Sequence, residues 1–311
     1  MKINLSDHGV PPPAPAALQQ TPQYARALAA MGTRVMVVAG HSDAGMLAQA
    51  LIVRRRIGPL TLNWLPLGPI WKPGLAAQHR DAFLSHLTRI LSGGAVWLGN
   101  AETEVAAGDF TAHGFHSMIT PTPVARLDLS PPATTRMAAQ HGKWRNRLRH
   151  AQSADLVVRQ REFDPTRDAD FLARETAQRR KRRYRALPVG FTLTYAAQNP
   201  GSARLWSAHK NGALAAQMLI LHHGVTATYH IGWTNEIGRK TSAHNLLLWQ
   251  AQAWLAERGV TRLDLGLIDT DHTPGLARFK LGSGAALCTP GPTMIRFAPP
   301  ALFQKRHRPA A

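Results

Sequence analysis

Strand-like runs alternate with helical periodicity along the whole chain, and the alternation occurs twice in the same order. In the first half, runs at Arg34–Ala39, Leu47–Arg54 and Leu60–Leu65 precede a helix pattern at Leu75–Leu91, where Phe83, Leu84, Leu87 and Leu91 follow i, i+3, i+4 spacing. Gly93-Gly94 ends that helix, and Ala95–Gly99 reads as the next strand. In the second half, strands at Ala203–His209, Leu214–His222 and Thr226–Gly232 precede a helix from Ser242 to Arg258, closed by Gly259 and followed by a strand at Arg262–Gly266. A chain patterned in this way folds as α/β (α+β), with mixed central sheets flanked by helices, and the echo predicts a structural duplication without a repeat of letters. Ser130-Pro131-Pro132 interrupts the pattern. The expected organisation is a Pro/Ala-rich arm at 1–17, a first domain at 18–130, a second at 131–300 and a basic tail at 301–311.

The remaining elements follow from the same rules. Gln23–Met31 reads as a short helix, Thr134–Ala151 as one basic helix, Leu156–Gln160 as a strand and Asp168–Arg183 as a helix. Between Gly190 and Leu205 a loop is expected; Gly275–Lys280 reads as a helical turn, and Ala285–Cys288 and Thr293–Phe297 as strands.

Composition removes several classes of function. With 44% hydrophobic and 18% charged residues in 311, the chain is neither disordered nor fibrous. The apolar stretches Val35–Ala39 and Leu60–Ile70 are too short or too broken by Pro66 and Pro69 to cross a bilayer. No export signal is visible at the N-terminus, and a single cysteine, Cys288, forms no intramolecular disulfide, so a cytoplasmic location is expected. The formal net charge of +19 far exceeds what solubility needs and points to an anionic partner.

The charge is concentrated. From Arg136 to Arg185 there are fifteen Lys/Arg against six acids, including the run Arg179–Arg185. On a helix, Lys143, Arg147 and His150 share one face and Arg145 and Arg149 another, which offers forked donors to phosphate. A second constellation, Leu263 to His272, is a buried-looking strand delivering Asp264, Asp269, Asp271 and His272 at its C-terminal end, where ligands sit in open sheets. No metal site is expected, because neither an HExxH pattern nor a paired Cys/His set occurs, and His222, His223 and His230 fall on strand positions of both parities. Third, Lys280 follows Phe279 in a glycine-flanked turn suited to holding a phosphate or a developing oxyanion. A serine hydrolase elbow and the GxGxxG and GKS phosphate loops are absent, and Cys288 has no base beside it in the sequence.

Taken in order, the following segments resemble the Fem family of acyl and aminoacyl transferases, whose members carry two tandem GNAT-like domains. They are Gln23-Tyr24, Leu67-Gly68-Pro69, Leu127-Asp128-Leu129-Ser130, Lys143 to Ala151, Ala227 to Gly232, Asn245 to Trp249, Leu263 to Gly266, and Gly275-Leu276 with Arg278-Phe279-Lys280. The resemblance implies transfer of an acyl group to an amine, in a cleft where two central strands of the second domain splay apart. It implies catalytic roles for Lys280 and Asp264, with Asp269 and His230 as further candidates for a base. Arg145, Arg147, Tyr229 and Arg278 would bind substrate. In ordinary GNAT domains the loop before the long helix wraps a CoA pyrophosphate with backbone amides. Here that loop is Asn235–Ser242, so Gly238, Arg239, Lys240 and Ser242 would hold the donor, although Lys240 stands where the pattern has a small residue.

No prosthetic group is implied; the donor is aminoacyl-tRNA or acyl-CoA. The acceptor would be an anionic, nucleotide- or lipid-linked cell-envelope precursor, with peripheral contact at the inner membrane surface. The helical arm by which some Fem members engage tRNA has no counterpart between Gly190 and Leu205. Two alternatives stay open: an acyl-CoA-dependent N-acetyltransferase acting on a small amine, and a basic nucleic-acid-binding protein with a degenerate cleft.

Overall fold

The computed structural model describes residues 2–6, 10–58, 60–90, 95–104, 106–182, 184 and 186–297. Expectations resting on Leu91, Gly93-Gly94, Arg183, Arg185 and the tail 301–311 lie outside them. The chain divides into two units, residues 1–121 with 289–311, and residues 122–288.

The first unit runs β1 (Lys2–Ser6), α1 (Pro22–Ala30), β2 (Arg34–Ser42), β3 (Gly45–Ile57), β4 (Leu60–Leu65), β5 (Ile70–Trp71), α2 (Ala77–Ile90), β6 (Ala95–Gly99), α3 (Ala107–Thr111) and β7 (His116–Ile119). Helix α1 starts where Thr21 accepts a hydrogen bond from the Tyr24 amide and Pro22 supplies a preset φ. The sheet order is β1-β2-β3-β4-β6-β15-β7, in which β15 (Thr293–Phe297) returns from the far end of the sequence. Ala48, Ala50 and Ile52 of β3 pack with Leu65, Phe83, Leu84, Leu87 and Trp97 into this unit's core. Along the edge of β3, fully buried Gln20 bridges the gap between its partners β5 and β4: its Oε1 accepts from the Leu51 amide (2.8 Å), while its Nε2 donates to the carbonyls of Leu51 and Pro66 (3.1 and 2.6 Å).

The second unit contains β8 (Val124–Asp128), α4 (Ala133–Ala139), α5 (Gly142–Gln152), β9 (Leu156–Glu162), α6 (Ala169–Arg182), α7 (Val189–Gln198), β10 (Ala203–Lys210), β11 (Ala213–His223), β12 (Thr226–Thr234), α8 (Glu236–Lys240), α9 (Ala243–Ala256), β13 (Arg262–Leu267), α10 (Pro274–Gly282) and β14 (Ala286–Cys288). Its sheet order is β14-β8-β13-β12-β11-β10-β9. Trp206, Met218, Ile220, Leu263 and Leu265 from the sheet meet Trp144 and Leu148 of α5 and Leu247 and Leu248 of α9 in the core. Gly259, at φ +75°, closes the long helix as its position in the sequence implies.

Four differences from the sequence reading have physical causes. The helix expected at Thr134–Ala151 is two helices, because Gln140 is extended (ψ 147°) and Arg145 Nη1 donates to the carbonyls of Ala138 and Gln140 (2.9 and 2.6 Å) at the end of α4. The loop expected between Gly190 and Leu205 contains α7, anchored by buried Phe191 and Tyr195 four residues apart. The loop Asn235–Ser242 contains α8, capped by Asn235. Finally, β8 precedes the expected boundary yet pairs with β13 and β14 of the second sheet, and β15 lies in the first.

Each unit has one parallel pair joined across a long helix, β4 with β6 over α2 and β12 with β13 over α9. The first pair stays in register over five positions, from Thr61↔Ala95 to Leu65↔Gly99. The second holds for three, Thr226↔Arg262 to Thr228↔Asp264, and then parts, although both strands continue. An irregularity in β12 at Tyr229–Ile231 coincides with the parting.

Candidate active site

The open end of the β12–β13 pair forms a cleft in the second unit. Helix α10 is fixed beside it by Trp144, whose Nε1–H donates to the Phe279 carbonyl (3.0 Å). That contact presents Lys280, only 6% exposed, with Nζ donating to the Leu267 carbonyl at the end of β13 (2.8 Å). No carboxylate among the described residues pairs with this ammonium, and burial pulls its pKa down to about 8. Tyr229 and His244 converge on Gly232: a Cβ there would lie 2.3 Å from the Tyr229 hydroxyl and 2.8 Å from His244 Nε2, so a side chain at this position would displace both rings. Burial lowers His244 to about 4, with Arg182 adding to the effect, and raises the Tyr229 phenol, so both are neutral at physiological pH. Lys280 is the member of this trio that titrates near neutrality.

Sequence reasoning missed Gln178 of α6. Its Nε2 donates to the Gly232 carbonyl (2.9 Å) and its Oε1 accepts from the Thr234 amide (3.4 Å). These two backbone groups belong to the stretch of β12 that β13 leaves unpaired, so the carboxamide docks there as a peptide unit of a neighbouring strand would. Gln178 Nε2 also donates to the Tyr184 hydroxyl (3.2 Å), which donates to buried Glu175 (3.0 Å). A glutamine in a basic helix carries no periodicity signal, and nothing in the sequence marks this one.

Asp264 is not brought to Lys280. The carboxylate is paired with Arg262 (3.1 Å) and Arg126 (3.4 Å), on the sheet face opposite the core residues Leu263 and Leu265. Lys280 reaches β13 from the core side, where a Cβ on Gly266 would lie 3.7 Å from its Nζ. Arg145 is committed to the end of α4, and Arg147 and Arg278 are exposed. In the donor loop, the Gly238 amide donates to Asn235 Oδ1 (3.0 Å), Arg239 Nη1 donates to the Thr234 carbonyl (3.2 Å) and Lys240 is exposed. Ser242, at φ 54°, precedes α9, whose first amides lack intrahelical acceptors.

His230 faces the other side of the sheet, its Nε2 2.7 Å from Thr192 Oγ1, and burial lowers it to about 4. Asp269 sits beside His272 at an exposed turn, its carboxyl held low first by the His272 amide. Among the described residues no group of three or more His, Cys, Asp or Glu converges as metal ligands, and no helix is long and apolar enough to cross a membrane.

Gly238 is required by space. A Cβ there would lie 2.3 Å from the Ala215 carbonyl oxygen, a backbone atom of the central sheet. Gly238→Ala is expected to destabilise the protein by about 2 kcal/mol, seen as a lower denaturation midpoint in urea. A midpoint equal to wild type would show that α8 shifts freely.

The region containing this cleft matches a family model: residues 138–280 match the acetyltransferase (GNAT) domain. The second unit is a GNAT-type acyltransferase domain. Over the whole chain the fold is similar to that of FemX, with a TM-score of 0.77 at 14% identity, covering 91% of this chain and 93% of that one. It is also similar to a C-terminal domain assigned to a lysylphosphatidylglycerol synthetase from Agrobacterium fabrum (TM-score 0.54, 14% identity, 89% and 87% covered). L-PGS from Bacillus licheniformis gives 0.52 at 12% identity, with 91% and 87% covered. No curated protein matches. The GNAT domain of this chain therefore carries the parted strands, Lys280 and Tyr229 within the matched region, while the first unit's pair stays closed.

Proposed function

We propose that the chain transfers an aminoacyl group from aminoacyl-tRNA to the amine of an anionic cell-envelope precursor, nucleotide-linked or lipid-linked. The observation that carries this reading is the state of the donor cleft. The Gly238 amide is capped by Asn235 and the free edge of β12 is taken by Gln178, so the strand-edge groups along which the extended arm of a CoA thioester would lie are already bonded. Lys280 stays buried beside the parted strands, where a reacting carbonyl would lie. The +19 charge suits polyanionic substrates, since Lys and Arg contacts to phosphate supply most sequence-independent RNA affinity. A lipid-linked acceptor would bring the chain to an anionic membrane surface.

In the step proposed, the acceptor nitrogen attacks the ester carbonyl of the donor. The C–N bond forms and the negative charge passes to the carbonyl oxygen, where the Lys280 ammonium stabilises it. Collapse breaks the ester C–O bond, and the proton lost by the amine goes to the departing ribose oxygen, so no external co-reactant is needed.

The test supplies isotopically labelled acetyl-CoA or a labelled aminoacyl-tRNA pool, each with a nucleotide-linked muropeptide or with vesicles carrying a lipid-linked muropeptide, both of which present an amine. Label moving from tRNA to either acceptor is the expected result. Label moving only from acetyl-CoA would replace this reading with an acyl-CoA N-acetyltransferase, which the family match at 138–280 favours.

A further inference from the structure

Away from the cleft, α6 roofs a cavity of about 730 Å³ over the β9 end of the second sheet. Its floor follows the sheet register: Arg159, Ser207 and Gln217 stand in one line across β9, β10 and β11, and Trp233 continues it on β12. Arg161, Arg167 and Arg174 complete the cationic lining. Two acids, Asp168 and Asp170, face the four guanidinium groups, so the cavity keeps a net positive charge.

Two of the four cations, Arg161 and Arg174, are held in place before any ligand arrives, while Arg159 and Arg167 are exposed. Buried Asp168 accepts both terminal nitrogens of Arg161, which fixes that fork and neutralises it. Arg174 lies 5.1 Å over the Trp233 ring and donates to Gln217 Oε1 (3.1 Å), while the one carboxylate paired with it among the described residues, the exposed Asp170, is 3.9 Å away. Arg174 Nε and His209 Nδ1 are buried with no hydrogen-bond partner. Arg159 has no carboxylate partner among the described residues, and Ser207 makes no side-chain hydrogen bond there. A buried donor without an acceptor is costly, so a cavity lined by Arg174 Nε, with exposed Arg159 and Arg167 beside it, suits a ligand that supplies acceptors.

We infer that this cavity binds a phosphoryl group of a small molecule. A planar carboxylate has two oxygens and one good fork satisfies it. Donors arriving from β9, β10, β11, α6 and the Arg167 turn surround the space from several directions, which suits a tetrahedral group with three acceptor oxygens. The cavity exceeds the size of one phosphate and has room for the molecule that carries it. Arg174 lies one helical turn before Gln178, so the two sites share the α6 wall, yet the phosphoryl site requires nothing of the transfer chemistry.

The test is calorimetric titration of the full chain with inorganic pyrophosphate, and with succinate, at about 0.15 M salt, where exposed charges are screened beyond roughly 8 Å. Expected is saturable binding of one pyrophosphate per chain, at least about tenfold weaker in Arg174→Met and in Ser207→Asp, which sets a carboxylate in the floor. The charge control Arg56→Gln/Lys72→Gln, on exposed residues of the first unit, is expected to bind as wild type does. Equal weakening in the control and the cavity variants would reduce the effect to surface charge and overturn the site. Succinate binding as tightly as pyrophosphate would overturn the phosphoryl assignment, and so would the absence of saturation. Because Ser207 makes no side-chain bond that folding uses, its variant keeps the test decisive if Arg174→Met fails to fold.

Discussion

Lys280→Met is expected to give a protein that melts higher than wild type and transfers almost nothing. The ammonium is buried with one carbonyl for a partner, and its pKa falls to about 8 from the usual lysine value because burial disfavours the charge. A lysine depressed in the folded state binds fewer protons there than in the unfolded chain between pH 8 and about 10.4. Its charge therefore costs stability below pH 8, and that cost disappears as pH rises through this window. Methionine keeps the stem without the charge; set against the unpaired Leu267 carbonyl, the net gain at pH 7 is about 2 kcal/mol. The increase in Tm over wild type is expected to be largest below pH 8 and to shrink toward pH 10. If Lys280 stabilises the oxyanion, kcat in the variant falls by about 10² to 10³, and wild-type kcat declines as pH rises through about 8. A variant that melts lower would overturn the stability argument, and one that keeps a tenth of wild-type turnover would remove Lys280 from the chemistry.

Asp264→Ala should do the reverse, leaving turnover in place and undermining the fold. The carboxylate stands between Arg126 and Arg262, with all three side chains largely buried. Removing it takes the carboxylate they share away from two guanidinium groups, a change that costs about 3–5 kcal/mol. Because Asp264 and Lys280 approach β13 from opposite faces, kcat per folded molecule, measured in the cold where the variant is still folded, is expected to stay within about twofold of wild type. A stable variant with a large loss of kcat would return Asp264 to the catalytic set.

These two residues also mark what the sequence makes readable. Leu263 and Leu265 show the parity of β13, so the opposite facing of Asp264 follows from alternation. The place of Lys280 does not, because its contact with Leu267 depends on how α10 is pinned by Trp144, 135 positions away from Phe279. Elements with a clear period, such as α2, or with a continuous apolar run, such as α9 and β11, are recognisable, since each contributes a contiguous set to a core. Helix α7 is not, because β-branched and aromatic residues mask its period until Phe191 and Tyr195 are seen to share one buried face. Gln178 and Gln20 lie further out of reach. Each replaces a missing strand partner with a side-chain amide, and composition does not predict where a sheet will lack one.

The return of β15 gives the chain an order of assembly. The second unit is continuous from Thr122 to Cys288, so it can fold once that stretch has left the ribosome. The first unit has to wait. Its sheet runs β6-β15-β7, and until Thr293–Phe297 is synthesised, β6 and β7 each present a row of unpaired amides and carbonyls. The segment made first is thus completed last, and a chain released from the ribosome just after Cys288 would hold a complete second unit and a first sheet with a strand-wide gap, a template for any extended chain nearby.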